Sequence, residues 1–259
     1  MYVHREAAVA EPFRLHVLIW LSRKEISQIS GRHDFYSLES IFKAFAGPGL
    51  PEAVFTSFAD QVDPVLFDEG DFGYRFDDPR QKVLGLLFKY EPRLALERFA
   101  TTEIIADPRQ TDALFRDRYL GRENGPIGLV PTNILIEWCQ VDPELRFAFA
   151  AHYGACTIPT GPGSDATGWA EQALALVAHA PDPAVVINEL VDRLPPTSWS
   201  GSRATMIETR IGWLDDLNPD QRPDIEEALE AGRIQLRRMA TAERVQEDDR
   251  QRGRDEAFE

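Results

Sequence analysis

The sequence predicts an all-α fold, an irregular solenoid of stacked helical hairpins, and three observations carry that reading. First, Asp or Asn stands directly before Pro six times at the head of an apolar stretch: Asp63-Pro64, Asp78-Pro79, Asp107-Pro108, Asp142-Pro143, Asp182-Pro183 and Asn218-Pro219. An oxygen at the N-cap accepts from first-turn N–H groups, and Pro at the next position loses no helical bond and arrives with φ set. Second, the last five pairs lie 29, 35, 40 and 36 residues apart, the period range of helical hairpins rather than of α/β units. Third, apolar residues recur at helical spacing along nearly the whole chain.

Taken in order, Pro12 opens a helix whose Phe13, Val17, Trp20 and Leu21 form one stripe, and the polar turn at Ser30 to Asp34 ends it. Ser37 is placed to cap a helix carrying Leu38, Ile41, Phe42 and Phe45, which Gly47-Pro48-Gly49 stops. Pro51 starts another, with Val54, Phe55, Phe58 and Val62 inward. Residues 66–78 break the rhythm, because Phe72, Tyr74 and Phe76 alternate with polar residues as an extended loop or short strand would. The helical period returns at Pro79 with Val83, Leu84, Leu87 and Phe88, breaks at Glu91-Pro92, and resumes with Leu94 and Phe99. Residues 101–120 read as shorter and more charged, with Ile104, Ile105, Leu114, Phe115 and Tyr119 inward.

Gly121 to Gly128 is a loop by composition. Pro131 then starts a helix with Ile134, Leu135, Trp138 and Cys139 inward, and Asp142-Pro143 starts its mate with Leu145, Ala148, Phe149, His152 and Tyr153. The Gly- and Pro-rich stretch Thr157 to Gly168 is a second loop. Three helical segments follow, Trp169 to His179, Pro183 to Leu194 and Ser202 to Leu217. A last helix from about Pro219 buries Ile225, Leu229, Leu236 and Met239, and the charged stretch Glu243 to Glu259 reads as a solvated helix end or a disordered tail. The chain thus divides into an N-terminal helical part (1–65), an acidic aromatic loop (66–78), helical repeats (79–240) and a charged C-terminal tail (241–259).

Charge separates the partner classes. Lys plus Arg is 28 against 43 for Asp plus Glu, a formal net charge of -15, so a phosphate backbone meets long-range repulsion and direct nucleic-acid binding is disfavoured. The apolar run Phe13 to Leu21 is interrupted by Arg14 and His16 and does not read as a signal sequence, and no run is long enough to span a bilayer. A cytoplasmic protein without membrane contact is expected. Cys139 and Cys156 lie in apolar helical contexts and read as free buried thiols in a reducing compartment, the alternative being a disulfide across neighbouring helices.

The block Trp169 to Leu217 has one helix closing on Ala180-Pro181-Asp182-Pro183-Ala184-Val185 and a second opening there. It resembles HEAT or armadillo repeats, and the likeness extends over roughly residues 79–240. That resemblance implies an all-α, irregular HEAT-like helical-hairpin solenoid with a divergent N-terminal part, presenting an extended protein-binding surface. The period is uneven, and the Arg such repeats carry internally is not evident. Pro195 to Ser202 and the ending Arg254 to Glu259 also look like the repeat-rich C-terminal regions of bacterial conflict and antiphage ATPases. This second likeness implies an accessory or regulatory module, with no nucleotide-binding segment in this chain.

Each chemical motif has a plainer reading. His152 and Cys156 stand four apart, as two ligands on one helical face would, but zinc needs three or four and no second pair is near, so a satisfied core histidine beside a buried thiol is expected. Cys139 with His152 could be drawn as nucleophile and base, yet no orienting group accompanies them. Gly161 to Gly168 precedes a helix like a phosphate loop but lacks the Lys, and Pro162 removes a donor. Ser40-Ile41-Phe42-Lys43 matches an acyl-enzyme pattern too short to carry weight. The acidic residues between Asp60 and Asp78 lack the alternation and closing Glu of a calcium loop.

The expectation is a non-enzymatic protein-interaction module with no cofactor and no metal, whose partner is a protein with a basic surface. Its candidate contact residues are Asp68, Glu69, Asp71, Phe72, Tyr74 and Phe76, carboxylates interleaved with aromatics, and Trp199 on a Pro- and Ser-rich loop. An accessory subunit of a bacterial defence assembly is the first specific reading. The rivals are an acidic immunity-type inhibitor of a toxin nuclease, a HEAT-like DNA glycosylase, which would need a basic concave face, and a small hydrolase using Cys139 or His152.

Overall fold

The computed structural model describes residues 50–62, 79–115, 125–158, 168–196, 201–218 and 221–256. Among these the fold is all-α: eleven α-helices, three 3-10 segments and a single isolated antiparallel bridge between Thr157 and Trp169. Two compact units divide the chain at Arg116 and Asp117.

The N-terminal unit holds α1 (Glu52–Ala59), α2 (Pro79–Tyr90), α3 (Pro92–Phe99), α4 (Thr102–Ala106) and α5 (Pro108–Phe115). Pro starts α2, α3 and α5, as the sequence predicts. Asp107 caps α5 through Oδ1, which accepts from the Arg109 N–H at 2.9 Å. Helices α1 and α3 both pack near α2, whose Leu84, Leu87 and Phe88 are fully buried. Phe88 anchors that core, meeting Phe115 edge-on at 5.8 Å and Phe99 at 6.2 Å, geometries that favour the ring quadrupoles. Ile104 and Ile105, expected inward, are only half-buried, because five-residue α4 is too short to present a complete stripe.

The C-terminal unit holds α6 (Thr132–Cys139), α7 (Pro143–Tyr153), α8 (Glu171–His179), α9 (Pro183–Arg193), α10 (Arg203–Ile211) and α11 (Pro223–Glu256). Consecutive helices pair as α6 with α7, α8 with α9, and α10 with α11. The pairs also stack in order. First helix meets first helix where α6 packs on α8, and second meets second where α7 packs on α9 and α9 on α11. The 3-10 segment Gly212–Leu217 extends that contact from the third pair to α8. Asp182 caps α9 by accepting from the Ala184 N–H at 3.0 Å, whereas Asp142 starts α7 by position alone, without a side-chain bond.

Two expectations are corrected. Asn218-Pro219 does not open the last helix, which begins at Pro223. Asn218 instead accepts from the Arg222 N–H at 2.7 Å and donates to the Arg222 carbonyl, bracketing a turn in which Gln221 takes φ 51°. The helix expected over Ser202 to Leu217 splits at Ile211, the remainder being the tighter 3-10 form.

Candidate functional site

Asp68, Glu69, Asp71, Phe72, Tyr74, Phe76 and Trp199 lie outside the described residues, as do Ser40 to Lys43 and Gly161 to Thr167. The remaining candidates all fall in the C-terminal unit, where local packing decides what they can do.

Cys139 and Cys156 are both buried free thiols. Cys139 ends α6, and its Sγ donates to the Arg146 carbonyl at 3.6 Å. Burial pushes its thiol up to about 12, with the Arg146 guanidinium pulling weakly the other way. Cys156 is raised for the same reason, against opposing pulls from Arg193 and Arg210. A nucleophilic cysteine needs thiolate character and access, and these two have neither.

His152 is corrected from the expected core position. It is exposed, and its Nδ1 lies 2.8 Å from Glu189 on α9. The inward face of α7 is instead Phe147, Phe149, Ala150 and Ala151, a rotation from the expected stripe that leaves His152 exposed while Cys156 is buried.

Polar chemistry inside the unit belongs to residues that motif reading passed over. Gln172 is 5% exposed in the apolar stripe of α8 and satisfies four backbone groups. Its Nε2 donates to the carbonyls of Val130 at 2.6 Å, Ile127 at 3.2 Å and Gly128 at 3.4 Å, while its Oε1 accepts from the Ala155 N–H at 2.7 Å. The sequence signal was there: a lone amide at a core position beside Ala173, Leu176 and Val177 must be fully paired. Around it lies an open groove of about 470 Å³ lined by Gly128, Val130, Pro131, Thr132, Asn133, Ala155, Ala170, Glu171 and Gln172. Both α6 and α8 start at this groove without a side-chain cap, and Glu171, in the first turn of α8, is among the lining residues.

Three arginines close helix ends. Arg146 donates to the Trp138 carbonyl at 2.9 Å and lies 4.6 Å over its ring, closing α6. Arg193 donates to the carbonyls of Ala151 and Gly154, closing α7, and Arg210 to that of Leu194, closing α9. Cations suit these C-termini, where unpaired carbonyls concentrate negative potential. Each guanidinium joins a helix end to a neighbouring element.

On α11 carboxylates take the corresponding role at a helix start. Glu247 accepts from the Ser202 hydroxyl at 2.7 Å, the Arg203 N–H at 2.7 Å and the Ala204 N–H at 3.3 Å, while Glu243 pairs with the Arg203 guanidinium. The charged ending therefore includes residues that pack against α10.

Among the described residues no group of three or more His, Cys, Asp or Glu could hold a metal ion, and no helix is long and apolar enough to cross a membrane. Fold and site together define an all-α protein whose polar residues serve helix ends and loops. No protein-family model, curated protein or solved structure matches the chain.

Proposed function

We propose that this chain is a non-enzymatic protein-interaction module, a short HEAT-like stack in its C-terminal half that binds a protein with a basic surface. The observation that carries this reading is the packing order of the C-terminal unit, first helix on first and second on second. Repetition of that order builds an extended face, and extended faces bind other proteins. The net charge of -15 adds attraction for a cationic partner and repulsion for nucleic acid. Within the class, an accessory subunit of a bacterial defence assembly rests on the likeness of residues 195–202 and 254–259 to the C-terminal regions of antiphage ATPases.

The hydrolase alternative finds little support in the buried Cys139 thiol, held near 12, and in an exposed His152 committed to Glu189. The test is to isolate the partner from the native host and titrate it against the purified chain at two ionic strengths. Affinity should fall with salt, and replacing Asp68, Glu69 and Asp71 by their amides should slow association and flatten the salt dependence. Salt-independent binding, or loss of function in Cys139→Ala with an unchanged melting curve, would overturn the reading.

A further inference from the structure

We draw no further inference here: the strongest candidate, the open groove at the starts of α6 and α8, rests on two uncapped helix N-termini and carries nothing, because its buried polar side chain, Gln172, is already paired with the chain's own backbone at Ile127, Gly128, Val130 and Ala155 and no second observation there points to a ligand.

Discussion

The block α6 to α9 and the pair α10–α11 solve the same problem with opposite materials. Both must satisfy backbone groups left over at helix ends and in loops. In the first block this is done mainly by Gln172, which is buried, and by the guanidinium of Arg193, which binds two carbonyls. In the second it is done by Glu247, a carboxylate near solvent that reaches the start of α10 from α11. A buried amide leaves several unpaired groups when it is removed, whereas a carboxylate near solvent is replaced by water. The difference teaches where stability is concentrated: Gln172 should be far harder to replace than Glu247.

The largest expected effect tests the first side of that contrast. Gln172→Leu keeps the volume but strands the Ala155 N–H and the Val130 carbonyl, and should cost about 3 kcal/mol, measured by urea unfolding. A loss below about 1 kcal/mol would mean that water reaches those groups from the adjoining groove, and the contrast would fail.

Next comes the seam joining the two regions. A Cβ on Gly232 would lie 2.8 Å from Val191 Cγ2 on α9, and Val191 is buried and β-branched, so it cannot swing aside. Gly232→Leu should therefore cost at least about 2 kcal/mol by overpacking. Gly253→Ala, where the added carbon meets nothing, should gain a few tenths up to about 1 kcal/mol from helix propensity. Thermal melts of the two variants sharpen the comparison by separating close approach from intrinsic preference.

Glu247 gives a smaller and pH-dependent effect. Its carboxyl is held below the ordinary 4.5 first by the Ser202 hydroxyl, and also by the N–H groups of Ala204 and Arg203 and by nearby Arg244. A depressed folded-state value means that the contribution is complete above the unfolded value and disappears as pH falls through the folded one. The melting temperature of Glu247→Gln should thus lie below the parent's at pH 7, and the gap should close below pH 4.5. A gap that persists in acid would assign the effect to packing rather than charge.

The smallest effect is expected at His152→Ala. The ring is exposed and its pair with Glu189 is open to solvent, so the change should stay within about 0.5 kcal/mol. A larger loss in chemical denaturation would place His152 back among residues that matter to the core.

The described helices were legible because their signals are local. Pro fixes φ at the first turn, so α2, α5, α7 and α9 begin where Asp-Pro stands and α3 begins at Pro92 after Glu91, with Asp107 and Asp182 adding a side-chain acceptor at α5 and α9. The same local logic failed at Asn218-Pro219, because the side chain that would cap a helix there is engaged by the backbone of Arg222. His152 was misplaced because periodicity gives the width of a stripe better than its rotation. Packing of α7 on its neighbouring helices left Phe147, Phe149, Ala150 and Ala151 in the interior.

By itself the sequence determined the helical class, the helix starts marked by Asp-Pro, the acidic charge and the buried state of both thiols, since each depends on neighbours in the chain or on totals. Only the tertiary structure decided that Gln172 holds four loop groups, that Arg193 and Arg210 close helices other than their own, and that Glu247 caps α10 across a span of some forty residues. Those roles rest on which atoms are brought within about 3 Å of one another. That is a property of helix packing, and no local pattern encodes it.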